Sequence, residues 1–212
     1  ASELFISELS RRGIKKIGVL RINNQGIQAL FDEFKLQLAK TDIELVSDEL
    51  FQPGERDFKT HITNLKLPQP ELYVLLSIPP ELEIATQQML NMKVENISTM
   101  IYFELSQKRE LFEGLWFVGT PLPEDGFVQE YESFYQRPIS FAVPNMYDAF
   151  NLIARAADDS NSKDREGIKN ELLKIKDFDG VLGTLNIDPD GIIISGAELK
   201  IIKNGQIKLL NN

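Results

Sequence analysis

The residues best suited to chemistry stand directly after short apolar runs. Glu104 follows the run Ile97 to Phe103, and Ser77 closes the run Leu72 to Ser77 (LYVLLS). The amide-rich stretch Arg21-Ile22-Asn23-Asn24-Gln25-Gly26 follows Lys16 to Leu20 (KIGVL). Amide side chains both donate and accept hydrogen bonds, which suits a small polar ligand or the cap of a following helix. A carboxylate at Glu104 can hold an ammonium through a charge-assisted hydrogen bond, or lie favourably at the N-terminus of a short helix. The Ser77 hydroxyl or backbone amide can meet a ligand, or cap its own loop. Position alone leaves each of these pairs of readings open.

Catalytic constellations are absent from the pattern. Ser77 lies between Leu76 and Ile78, without the Gly-x-Ser-x-Gly turn of a nucleophile elbow. His61 is the single histidine and falls within DFKTHITNLK between Phe58 and Ile62, where it reads as a boundary residue of an amphipathic helix. The chain has no cysteine, which removes disulfides, thiolate metal sites and cysteine nucleophiles together. Ser160 to Lys163 matches Ser-x-x-Lys by letter, but inside the polar loop DSNSK, without the helix start that chemistry needs. No two acids form an obvious dyad. The sequence therefore predicts a protein that is not an enzyme, with no catalytic residue, metal ligand or cofactor.

Other classes are excluded in the same way. The loop after the first run has one glycine, too few for a dinucleotide-binding turn, and no Gly-x4-Gly-Lys-Ser/Thr occurs. No acidic cluster follows the first strand, as a response regulator requires. Net charge is −9, and the bases are interspersed among the acids with no basic face, so nucleic acid is not an expected partner. No apolar run approaches the roughly 18 residues of a membrane span. Asn96-Ile97-Ser98 is a formal glycosylation sequon. The chain begins at Ala1 without a methionine, and the expectation is a mature or trimmed product with its signal peptide removed.

The elements that must position these residues alternate in period. A helix is expected over Ser2–Arg12, with Ser2 as N-cap and Gly13 past its end. The strand Lys16–Leu20, a helix over Gly26–Lys40 and the strand Ile43–Leu50 follow. Pro53-Gly54 turns the chain into a helix capped by Asp57. Strands are expected at Leu72–Ser77, Ile97–Phe103 and Trp116–Thr120, with a helix from Pro79-Pro80 to about Met92. Repeated βα predicts an α/β fold with a doubly wound parallel sheet and right-handed crossovers. Its ligands would bind beyond the carboxyl ends of the strands.

After Pro121 the pattern becomes helical: Glu124–Gln136, then Pro144–Asp158 with Tyr147, Phe150, Ile153, Ala154 and Ala157 on its apolar side, then Asp164–Lys176. The end is β again, with a turn at Asp188-Pro189-Asp190-Gly191 and an Asn204-Gly205 hairpin.

Several strings resemble one family in the right order. SELSRRGIKKIGVL resembles the start of the second lobe of the type I periplasmic binding proteins, specifically the branched-chain amino-acid-binding family of bacterial ABC importers. FQPGERDFKTHITNLKLPQPELYVLLS resembles its Pro-Gly, Asp-Phe, helix and strand succession. NMYDAFNLIARAADD resembles its Tyr-Asp-Ala helix, and FDGVLGTLNIDPDG its closing Phe-x-Gly-x-x-Gly segment and hairpin. The resemblance implies that residues 1–121 with 187–212 form the second lobe, and that residues 122–186 are a helical segment returning to the first. Nothing here corresponds to the family's opening βα units.

It further implies a periplasmic or extracytoplasmic protein that traps an amino-acid-like ligand between two lobes by hinge closure and delivers it to a membrane permease. Glu104 falls where the family keeps an acid for the ligand ammonium. Gln25, beside Asn24, falls where many members place an aromatic residue, and Ile78 and Pro79 fall where they place Gly or Tyr. Tyr147 matches the tyrosine of Tyr-Asp-Ala. The ligand-binding set implied is Asn24, Gln25, Ser77, Ile78, Glu104 and Tyr147. The alternative is a non-transport interaction or sensor domain on the same fold, such as a receptor ligand-binding region or a lipoprotein activating a cell-wall synthase. A hydrolase on a doubly wound sheet is weaker, for want of a nucleophile–base pair.

Overall fold

The computed structural model describes residues 1–100, 103–162 and 164–210. The chain divides into two compact units, Ala1–Gly119 with the segment from Glu198 onward, and Thr120–Ala197.

The first unit runs α1 (Ser2–Arg11), β1 (Lys16–Ile22), α2 (Gln25–Leu38), β2 (Glu44–Phe51), α3 (Lys59–Lys66), β3 (Leu72–Leu76), α4 (Glu81–Asn91), β4 (Ile97–Met100) and β5 (Trp116–Gly119). Two 3-10 turns, Phe103–Leu105 and Arg109–Phe112, lie between β4 and β5. The second unit holds α5 (Asp125–Tyr135), α6 (Ala142–Asp159), α7 (Arg165–Leu172), β6 (Phe178–Gly180), β7 (Gly183–Ile187) and β8 (Ile193–Ile194). The chain then adds β9 (Glu198–Lys203) and β10 (Gln206–Leu209) to the first unit.

The main sheet has the order β10-β9-β5-β4-β3-β1-β2. β2, β1, β3, β4 and β5 run parallel, and β9 closes the edge antiparallel to β5. This is the expected doubly wound α/β arrangement with a C-terminal hairpin. Strand order reverses between β1 and β3, so the crevice that such a reversal opens lies between their following loops.

Burial follows strand position. Every residue of the central β3 is buried, as its unbroken apolar sequence requires, whereas β2 at the edge is mostly half-exposed. α1 packs against α2, and α3 against α4. Phe5 of α1 stacks on Trp116 with ring centroids 5.0 Å apart and meets Phe34 of α2 edge-on at 5.9 Å. Aromatic pairs of this kind add about 0.5–1.5 kcal/mol beyond the area they bury. Glu8, on the same helix, is buried and accepts from Arg11 Nε at 2.6 Å and Arg12 Nε at 2.6 Å. Arg12 in turn lies over the Trp116 ring.

Several element ends differ from the sequence reading. α1 starts at Ser2 with Ala1 as N-cap and no side-chain cap, because the helix begins one residue earlier than expected. Asp57 accepts from the Lys59 amide, yet the N-cap position of α3 is Phe58. The strand expected over 97–103 is β4 at Ile97–Met100; residues 101 and 102 lie outside the described residues, as does Lys163 of the Ser-x-x-Lys match.

The second unit corrects the helical stripe. α6 buries Pro144, Asp148, Leu152 and Ala156, and leaves Phe150, Ile153 and Tyr147 largely exposed. The buried side is chosen by the small core of Leu152, Ala156, Ile175, Leu185 and Ile187. The strand β6, unmarked in the sequence reading, pairs with β7 and β7 with β8. The hairpin of Ile187 to Ser195 therefore belongs to this unit's three-stranded sheet.

Candidate functional site

Five of the six expected ligand residues come to one edge of the main sheet. Asn24 and Gln25 follow β1, Ser77 and Ile78 follow β3, and Glu104 follows β4, and these three strands are sheet neighbours running parallel. Tyr147 lies in the second unit on α6, 48% exposed, with its ring 4.8 Å from that of Phe127.

Each loop is shaped by its own sequence. Asn24 is the N-cap of α2, and its Oδ1 accepts from the Gly26 amide at 2.9 Å and the Ile27 amide at 3.3 Å. Its acceptor is thus engaged in capping, and Gln25 is exposed beside it. Arg21, at the end of β1, makes a bidentate pair with Asp48 at 2.7 and 2.9 Å and donates to Gln28 at 2.7 Å. Its guanidinium lies over Phe31. That cation is a fixture of the sheet edge rather than a free ligand group. Ser77 is buried, with its hydroxyl donating weakly to the Ile78 carbonyl at 3.3 Å, and Ile78 is half-buried.

Two further acids, absent from the sequence reading, hold the neighbouring loops. Glu81 is buried and accepts from the Gly54 amide at 2.8 Å, tying the loop after β2 to the start of α4. Glu83 accepts from the Ser106 hydroxyl at 2.8 Å and the Gln107 amide at 3.3 Å, tying the loop after β4 to α4. His61 has Glu49 and Glu55 against its two ring nitrogens at 2.8 and 3.0 Å, a clamp on the loop after β2 that occupies both nitrogens. Among the described residues no group of three or more His, Cys, Asp or Glu could hold a metal ion.

Glu104 is paired with a buried cation. Its Oε1 accepts from Lys200 Nζ of β9 at 3.2 Å. The Lys200 side chain is 1% exposed and that of Glu104 8%. Gly119, at the end of β5, makes the approach possible: a Cβ there would fall 2.0 Å from Glu104 Oε1. Glu104 Oε2 is buried and has no hydrogen-bond partner among the described residues. Lys200 was missed by sequence reasoning, although the alternation of β9 signals it. Lys200 shares its phase with Ile202, which is fully buried.

A hollow of about 770 Å³ lies at the opposite, amino edge of the sheet, bounded by Arg12, Leu72, Asn96 and Leu115. Sheets of this topology take ligands at the carboxyl edge, the edge at which the five expected residues lie.

The periplasmic binding protein family matches residues 5–199, and the chain belongs to that family. A leucine-binding protein from Thermotoga maritima superposes with a TM-score of 0.86 at 22% identity, over 99% of this chain and 63% of its own. A branched-chain amino-acid transporter substrate-binding protein from Streptococcus pneumoniae, in complex with isoleucine, gives 0.82 at 22% identity over 98% and 62%. An ABC-transporter solute-binding protein from R. palustris, in complex with benzoate, gives 0.83 at 14% identity over 99% and 61%. At these identities the likeness is one of fold, and the chain spans less than two thirds of each of these proteins. A search of curated proteins found no match. No helix among the described residues is long and apolar enough to cross a membrane.

Proposed function

We propose that the chain is the ligand-binding part of an extracytoplasmic solute-binding component of an ABC importer. It takes an amino acid or a similar small polar ligand and hands it to a permease in the membrane. The carrying observation is the convergence of Asn24, Gln25, Ser77, Ile78 and Glu104 on the carboxyl edge of one sheet, where strand order reverses, in a member of the periplasmic binding protein family. The role is binding, with no bond made or broken. The ligands of the two complexed relatives, isoleucine and benzoate, are both small organic acids.

In this reading Asn24 and Gln25 offer amides, Ser77 and Ile78 line the loop after β3, and Tyr147 is kept as a ligand contact on the strength of the family resemblance alone. Residues 122–186 are read as the part that completes the other lobe.

A thermal-shift panel of amino acids, 2-hydroxy acids, small amides and short peptides tests the proposal. The expected result is a saturable upward shift with one ligand class, reduced by Gln25→Ala. A cooperative melt that no compound moves would remove the solute-binding reading and favour an interaction domain on the same fold.

A further inference from the structure

Resting on that solute-binding reading, we infer that Lys200 sets ligand specificity: its ammonium already neutralises Glu104, so the site favours ligands presenting an uncharged hydroxyl or amide donor there over ligands presenting an ammonium.

The argument begins with strand pairing. β9 lies antiparallel to β5 with Lys200 opposite Phe117, which turns the Lys200 side chain to the same face as Ile202. A lysine on that face must find a counter-ion or leave a charge buried alone. Glu104 supplies it at 3.2 Å, in the space that Gly119 leaves open. Both side chains are more than nine-tenths buried, so the pair is screened little by solvent.

The pair is net neutral. A ligand ammonium brought to the same carboxylate would put two cations on one anion in a poorly solvated place, and like charges there repel strongly. Glu104 Oε2 nonetheless lacks a donor among the described residues. A hydroxyl or amide N–H satisfies it, as the side chain turns to meet the ligand, without adding charge. The ligand class that fits is a small polar molecule with a neutral donor, of which a 2-hydroxy acid or a primary amide is the simplest case.

The test is titration calorimetry on the unmodified protein with matched pairs: leucine, phenylalanine, glutamine and alanine, each beside its 2-hydroxy acid. The members of a pair differ only in ammonium against hydroxyl. The expected result is that the 2-hydroxy acid of the best pair binds at least about tenfold more tightly than its amino acid. Lys200→Met leaves Glu104 without its counter-ion, and the preference should then reverse toward the amino acid. Should Lys200→Met not fold, the doubly neutral E104Q/K200M variant should bind both members of a pair within about threefold of one another. A purely structural role for Lys200 would move stability and leave the preference unchanged. An amino acid preferred by the unmodified protein would overturn this inference and leave the solute-binding reading standing. Silence from every pair, in the unmodified protein and both variants, would overturn the solute-binding reading and this inference with it.

Discussion

Asp148 in the second unit and Glu104 in the first are buried carboxylates set against a glycine. A Cβ on Gly180 would fall 2.7 Å from an Asp148 oxygen, and one on Gly119 would fall 2.0 Å from a Glu104 oxygen. Their partners differ. Asp148 accepts from the Val181 amide at 2.9 Å through one oxygen and from the Leu182 amide at 3.1 Å through the other. It ties α6 to the β6–β7 turn through both oxygens. Glu104 has one oxygen on Lys200 and the other without a partner among the described residues. A carboxylate satisfied at both oxygens by backbone is a structural part. A carboxylate at a strand's carboxyl end with one oxygen unsatisfied retains a capacity to bind. On the proposed reading, the same plan serves the scaffold in one unit and the ligand site in the other.

The strongest way to break that distinction is to remove one partner. Lys200→Met should destabilise the protein by about 3–5 kcal/mol in urea unfolding, because it leaves a buried carboxylate uncompensated. E104Q/K200M should stay within about 1 kcal/mol of the parent, since replacing a whole buried pair is often neutral. Equal losses from both variants would contradict the account of the pair. Asp148→Ala should cost about 3 kcal/mol by stranding two amides of the turn. It should leave ligand preference untouched, a separation that calorimetry and unfolding can read on one sample.

Gly119→Ala should cost about 1–3 kcal/mol, as the added methyl drives Glu104 from its place. The smallest effect expected of a single substitution belongs to Glu8, a third carboxylate and a control for the other two. The hydrogen bond from Arg11, aided by Arg12, holds its carboxyl below the ordinary value against the opposing effect of burial. A depressed folded value means its contribution is fully present above the unfolded carboxylate pKa and is lost as pH falls through the folded one. Glu8→Gln should therefore lower stability by about 0.5–1 kcal/mol near neutrality, and the two melting curves should converge in acid.

The period of the apolar residues made the sheet legible, because β3 and the helical stripe of α2 leave few alternatives. The carboxyl-edge residues were legible for the same reason: once strands are placed, the residues after them are placed too. What escaped was long-range. Glu104 and Lys200 are far apart in sequence, and only the antiparallel addition of β9 to β5 brings them together. Asp148 escaped because α6 is apolar on more than one side. The outward Phe150 and Ile153 outweigh the modest Leu152 and Ala156 that mark the buried stripe. In both cases a charged residue in phase with buried apolar ones was the available sign. Asp148 shares its helical side with Leu152 and Ala156, and Lys200 its strand face with Ile202.

The most direct measurement is a map of amide chemical shifts in the isotopically labelled protein as the best ligand of the panel is added. The account predicts that the largest saturable changes fall on Asn24, Gln25, Ser77, Ile78 and Glu104, at the carboxyl edge. Changes concentrated instead around Arg12, Leu72, Asn96 and Leu115, at the hollow on the amino edge, would contradict it.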